Sequence, residues 1–229
     1  MIVAIAVAEK SGAESAKYLA SVDDETVIER VTATLLRGPF GGVLLAAQPS
    51  LKADIEDALS GFAIQHVPLP SSTDLSAQAI FAAALRAAEA FRARWEKAMA
   101  AAAGRFENDP RESPTQKNAA EWAKLKQNPD VKIRGLARSF DRDGILAIPA
   151  DCIDIKKEHL AQMVEAFARD GQQPQPKPFS QAVIGGVRGW PVMMTVDGAR
   201  EIAALPASTI LSDWLLQNVA RVNDVKLNR

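Results

Sequence analysis

A single cysteine, two histidines and one tyrosine are all that the 229 residues hold of these types. Cys152 has no internal partner for a disulfide, and with His66 and His159 it makes no zinc-ligand spacing. A reducing compartment is the default for such a chain, so a cytoplasmic location is expected. An excess of either charge is missing too: 27 Lys+Arg stand against 28 Asp+Glu, a net charge of −1. Without a concentrated basic surface there is little counterion release to gain, and nucleic acid is not an expected partner. No run approaches the ~20 apolar residues of a membrane span, so no membrane association is expected. The apolar stretch Met1 to Ala8 lacks a basic flank and meets Glu9-Lys10 at once, unlike a signal peptide.

Hydrophobic residues make up 48% of the chain, but 41 residues are alanine, so much of that fraction is helix-forming filler rather than bulky core. Global disorder is excluded. The length fits one large domain, or one domain carrying an insertion.

Residues 2–8 are continuously apolar and rich in β-branched side chains, the pattern of a strand buried on both faces. Asp23-Asp24 is read as the cap of a helix carrying Val27, Val31 and Leu35. Residues 42–47 form a second strand, Ser50 caps a helix with Leu51, Ile55 and Leu59, and residues 63–67 form a third strand. From Ser72 an alanine-rich helix runs towards Gly104. Pro110, Pro114 and Pro129 break up the following stretch around a short helix at 117–127, and 92–140 is read as a helical insertion in a single domain, 1–229. Its ten basic and six acidic residues between Arg92 and Arg134 are most simply a solvated face. Residues 144–149 form the next strand, followed by a helix over 156–169, with His159 on its polar side. Residues 182–194 read as two strands joined by glycines, Asp197 opens a helix, and 210–219 form another. Strand and helix alternate as in a doubly wound α/β fold.

In such a sheet, ligands bind beyond the carboxyl ends of the strands. Two segments with suitable groups fall there: the small-residue loop 9–17 and Asp151. Backbone N–H groups of the loop can face phosphates, with Lys17 adding a point charge. An aspartate ending a buried strand suits Mg²⁺, which takes one or two carboxylates plus phosphate oxygens and water.

The order of these segments resembles the molybdenum-cofactor guanylyltransferase and cytidylyltransferase group of nucleotidyltransferases, over nearly the whole chain except 92–140. Residues 5–19 fall on the family's opening Leu-Ala-Ala-Gly-x-Ser-x-Arg-Met-Gly-x-x-Lys-x-Leu, and 25–31 are similar to its next helix. Pro149-Ala150-Asp151 matches the metal-binding Ala-Asp-x-Pro turn, and Arg188-Gly189-Trp190-Pro191-Val192 matches Arg-Gly-His-Pro-Val. The resemblance implies a Rossmann-like α/β three-layer sandwich with a mostly parallel sheet, of the nucleotide-diphospho-sugar transferase type. It also implies nucleotide contacts from Ala8, Lys10, Ser11, Gly12 and Lys17, and acceptor contacts from Gly189 and Trp190. Mg²⁺ would be the cofactor, on Asp151 and Asn228, with Lys17 and Asp151 catalytic. The partners implied are a nucleoside triphosphate and a small phosphorylated acceptor, molybdopterin-like or a sugar phosphate. Oligomeric state is left open.

Several positions depart from the family pattern. Ala8 and Glu14 replace loop glycines, Gly12 replaces the arginine, Ile153 the proline after the aspartate, and Trp190 the histidine. A glutamate in a phosphate cradle repels its ligand, and a lost arginine is a lost bidentate donor; Lys10 offers partial compensation. Where the family carries a second metal ligand, Asn228, or less readily Asp224, is what the tail supplies. Plainer roles stand beside each assignment. Lys17 reads equally as a solvated loop lysine, Asp151 as a helix or turn cap, and Cys152 as a packed residue. His66 and His159 read as ordinary surface or core histidines. Trp190 either stacks on a ring or closes the core. The leading reading is nucleotidyl transfer with pyrophosphate release; the alternative is a non-catalytic descendant that binds a nucleotide, cofactor or protein partner.

Overall fold

The computed structural model describes residues 1–8, 17–69, 76–108 and 142–228, with side chains described as far as Lys97 in the long helix that ends at 108. The elements are β1 (Ile2–Ala8), β2 (Ser21–Val22), β3 (Glu25–Thr26), α1 (Val27–Leu36), β4 (Gly42–Ala47), α2 (Lys52–Ala58), β5 (Gln65–His66) and α3 (Ala77–Asn108). They continue with β6 (Gly144–Pro149), α4 (Lys157–Gly171), β7 (Phe179–Ile184), β8 (Val187–Thr195), α5 (Val196–Ala203), α6 (Leu211–Gln217) and β9 (Val222–Leu227).

Seven strands make one sheet in the order β5-β4-β1-β6-β8-β7-β9, while β2 and β3 form a separate small ribbon. All pairs in the large sheet are parallel except those of β8, which runs against β6 and β7. Every residue of β1 is buried because alternate side chains feed opposite layers. Ile2, Ala4 and Ala6 join α1, α2 and α4 on one side; Val3, Ile5 and Val7 join α3 and α5 on the other. Phe167 of α4 is fully buried, a site whose burial contributes roughly 3 kcal/mol. It fixes Gly144, where a Cβ would come within 2.7 Å of the Phe167 ring. Gly185 and Gly186 both have positive φ, the requirement of the tight two-residue turn that joins β7 to β8. No helix among the described residues is long and apolar enough to cross a membrane.

Helix boundaries correct several of the sequence assignments. Asp23 and Asp24 do not cap α1; with φ of 50° and 68° they make the turn of the β2–β3 ribbon. The cap is Thr26, in a reciprocal pair with Glu29. Ser50 makes no capping bond, because a 3-10 turn over Pro49–Leu51 leads into α2 instead. The third strand shortens to Gln65–His66. Thr195, not Asp197, caps α5, its hydroxyl accepting from the Gly198 N–H at 3.0 Å. His159 is 5% exposed rather than on a polar face, and its Nδ1 accepts the Lys156 N–H. As the sequence reading of a helix towards Gly104 expects, α3 passes through residue 92 without a break; residues 93–97 are exposed, and 109–140, with the expected helix at 117–127, lies outside the described residues.

Candidate functional site

The carboxyl ends of β1, β4 and β6 are level: Ala8 pairs with Ala47, and Val7 with Pro149. The chain leaves β1 towards β4 and β5 and then returns across β1 to β6, so the strand order switches direction beside β1. Because β8 is antiparallel to β6, its amino end arrives at the same edge. Ala8 is fully buried and its carbonyl accepts the Gln48 N–H at 3.0 Å, so it contributes shape rather than a polar side chain.

Across this switch point Lys17 Nζ lies 2.7 Å from Asp151 Oδ2, each side chain about one-third exposed at 34% and 33%. Tyr18 holds the lysine end of the pair: it is 2% exposed in the core, and its ring centroid lies 5.0 Å from Lys17 Nζ. Asp151 sits in a turn closed by the Cys152 N–H donating to Pro149 O at 3.2 Å. It does not cap α4, whose first turn is closed by Lys156 and His159, so the helix-capping reading is removed. Lys17 and Asp151, assigned separate tasks from the sequence, are thus brought together.

They open onto a cavity of about 170 Å³ with an apolar floor of Val7, Ile148 and Pro149 and an aromatic wall of Phe81 and Trp190. A register shift in the β7–β8 pairing passes from Gln181 opposite Val192 to Ala182 opposite Gly189, leaving Trp190 and Pro191 as the extra residues. Bulges of this kind re-aim side chains beside functional sites. Trp190 is half-buried and meets Phe81 edge-on, with centroids 6.2 Å apart at 68°, so it lines the cavity and closes the layer beneath at once. At Gly189 a Cβ would meet nothing within 4 Å. A second cavity of about 370 Å³ lies on the same sheet edge over β4 and β5, lined by Ala47, Lys52, His66 and Leu69 among others.

Other assigned residues lie apart from this pair. Lys10, Ser11, Gly12 and Glu14 fall outside the described residues. Asn228 is exposed just beyond β9, three strands across from β6, a lateral separation of about 14 Å at ordinary strand spacing. Asp224 is held by Arg188 through two bonds of 2.8 Å, which push the guanidinium pKa above its ordinary value. Among the described residues no group of three or more His, Cys, Asp and Glu side chains is placed to hold a metal. Burial, with Asp151 and then Asp154 adding repulsion, pushes the Cys152 thiol up to about 11, so it is no nucleophile at neutral pH. His66 is half-buried with Nδ1 3.8 Å from Glu56. Tyr18 and Phe81 were not legible as site residues. Phe81 reads as one more member of a helical stripe, and Tyr18 carries only the hint of being the chain's one tyrosine.

No curated protein matches the sequence. Among solved structures, Rv0371c from Mycobacterium tuberculosis H37Rv, in complex with manganese, is similar at 14% identity and a TM-score of 0.59, covering 100% of this chain and 89% of that one. A nucleotidyl transferase from Methanothermobacter thermautotroptrophicus is similar at 16% identity and a TM-score of 0.61, covering 100% and 88%. A CMP:2-keto-3-deoxy-manno-octonic acid synthetase complexed with CTP is similar at 10% identity and a TM-score of 0.56, covering 100% and 89%. At such identities the likeness establishes the fold, a mostly parallel sheet with helices on both faces. The family model for the MobA-like NTP transferase domain matches residues 8–222, a span that takes in Lys17, Asp151 and Trp190, and the chain belongs to that family.

Proposed function

We propose that this protein transfers a nucleotidyl group from a nucleoside triphosphate to a small phosphorylated acceptor, releasing pyrophosphate. The observation that carries this reading is the Lys17–Asp151 pair at the switch point: one cation and one carboxylate, partly exposed, on the wall of a cavity. The cavity beside Trp190 takes the reacting phosphates and the acceptor, and the one over β4 and β5 takes the nucleoside. An acceptor oxygen attacks the α-phosphorus in line; the new P–O bond forms as the bond to pyrophosphate breaks. Lys17 moves from Asp151 to the phosphate oxygens and offsets charge building on the leaving group, so catalysis is positioning and electrostatics.

Asp151 is the residue that would hold a divalent ion. Its carboxylate already accepts a cation at 2.7 Å, and the described residues supply no further cluster of ligating side chains. That donor set suits a hard ion such as Mg²⁺ that keeps several waters and phosphate oxygens. When bound, such an ion neutralises phosphate charge.

The test is thermal shift with each nucleoside triphosphate, with and without Mg²⁺ or Mn²⁺, on wild type and Asp151→Asn. The CTP and manganese named in the similar structures put that nucleotide and that ion first in the panel. At 100 times its dissociation constant a ligand adds about 2.7 kcal/mol, roughly 5–10 °C for a chain of this size. The expected result is a metal-dependent shift lost in Asp151→Asn, then pyrophosphate release with pterin or sugar phosphates as acceptors. A shift that ignores the metal, or none with any triphosphate, overturns the reading. Metal-dependent binding without turnover on any acceptor would instead mark the non-catalytic descendant that Glu14 and Gly12 suggest.

A further inference from the structure

Among the described residues, β9 leaves one side of the sheet open. β9 pairs in parallel with β7, and among the described residues no strand pairs with its outer edge. Six residues of unpaired edge form a template for another strand. The segment that leads into it carries exposed apolar side chains, Ile210, Leu216 and Val219, the first two more than half exposed.

We infer that β9 is the seam of a homodimer in which two copies pair antiparallel about a two-fold axis at Val225, joining the two sheets into one. The charge pattern of the strand selects that occupant and that register. Asp224 and Lys226 are exposed on one face of β9, with Val225 between them on the other. In an antiparallel pair, residues directly opposite share a face, and the face is kept only if the register moves in whole steps of the pleat. Centred on Val225, the pairing sets Asp224 opposite Lys226 of the second copy, and Lys226 opposite its Asp224. Centred on Asp224 or on Lys226, it sets like charges opposite each other, which is unfavourable. The same alternation that discourages pairing in other registers therefore complements itself in this one. Lys226 makes no ion pair among the described residues, whereas both oxygens of Asp224 are bonded across β7 by Arg188 of the same chain, so Lys226 is the group that gains a partner in this register.

The groove beside the edge agrees with a second copy. It is open and polar, about 560 Å³, and lies between α4 and β9, with Glu165 and Arg169 of α4 on one wall and Asn223 to Lys226 on the other. A two-fold axis through β9 sets α4 beside its own copy, and each helix brings there the Glu165–Arg169 pair it makes at 2.7 Å, a neutral polar surface that sets no like charges against each other. A long apolar helix from a different protein would find no matching surface there.

Sedimentation velocity of the whole chain from about 1 to 200 µM, at 50 and 500 mM salt, tests the dimer. The expected result is a reversible dimer weakened by salt. Lys226→Glu should raise its dissociation constant at least tenfold while Lys226→Arg leaves it unchanged, with equal melting temperatures for the monomers. Register is read by disulfide trapping in a Cys152→Ser background. Val225→Cys lies on the axis and should cross-link to itself under mild oxidant, since opposite Cβ atoms approach to ~5 Å. Lys226→Cys, off the axis, should cross-link far more slowly. A monomer throughout that range overturns the inference, whether the edge stays open or takes up a strand from another protein. So does a dimer indifferent to Lys226→Glu, or one in which Lys226→Cys is the better cross-linker.

Discussion

Lys17 and Asp151 neutralise each other at 2.7 Å, so a metal arriving alone must displace an ammonium group, and a triphosphate arriving alone must pull Lys17 from a carboxylate. Metal and nucleotide therefore assist one another, each releasing the group the other needs. An ion pair this exposed is worth at most about 1 kcal/mol. Lys17→Met should then tighten Mn²⁺ binding to the nucleotide-free protein by up to about fivefold, read by calorimetry, while weakening triphosphate binding. Unchanged Mn²⁺ affinity in the variant would mean the pair exerts no such competition. The neighbouring Cys152 gives an independent check on the local electrostatics. With its pKa pushed up to about 11, the thiolate fraction at pH 8 is on the order of 0.1%, against tens of per cent for an unperturbed thiol. Iodoacetamide should modify it more than about 50-fold more slowly in the native than in the unfolded chain. Both partners of the pair were legible from sequence because each follows a buried strand that could be recognised. Their pairing was not, since Lys17 and Asp151 are far apart in the chain and only the order of β1 and β6 in the sheet makes them neighbours.

Elements with a strong apolar rhythm were legible to within a few residues, as β1, β4, β6 and α4 were; their ends were not. α1 shows why: Asp23-Asp24 offers the composition of a cap three residues too early, and only the ribbon of β2 and β3, a tertiary feature, assigns the pair to a turn. Thr26 carries the cap, its hydroxyl accepting the Glu29 N–H at 3.3 Å while Glu29 Oε2 accepts the Thr26 N–H at 2.6 Å. Thr26→Ala should cost about 1 kcal/mol, visible as a lower melting temperature. The Thr26 hydroxyl, and then its backbone N–H, hold the Glu29 carboxyl below its ordinary range. A carboxylate with a depressed folded pKa contributes stability above its unfolded value, near 4.3, and loses it as pH falls through the folded one. The stability gap between wild type and Glu29→Gln should thus be full at pH 7 and close below about pH 4; a gap constant across that range would assign the loss to packing instead.

For the whole molecule, the alternation of strands and helices sufficed to read a doubly wound sheet, because β1 is apolar at every position and each crossover is helical. β9 was not legible: Val222-Asn223-Asp224-Val225-Lys226-Leu227 alternates as a strand should, but its polar residues and Asn228 read equally as metal-ligand candidates. The insertion read at 92–140 begins within α3. Up to Phe91 this helix packs on the sheet, and Arg92 then pairs with Asp143 at the foot of β6, which marks where the fold has closed on itself. Trp95 is already 45% exposed. The remaining turns to Asn108 reach about 24 Å beyond Arg92, so any deletion that keeps them would have to span that distance back to β6. The return is short if α3 is cut after Lys97, and residues 98–141 can then be replaced by about eight Gly/Ser residues. Arg142 must stay, because it bonds Asp170 at 2.7 Å and stacks on the Phe167 ring at 4.2 Å. The shortened chain should be soluble, melt in one cooperative step and keep any metal-dependent triphosphate shift of the parent. Loss of the cooperative melt would place 98–141 within the folding unit, and a retained melt with a lost shift would place it in the site.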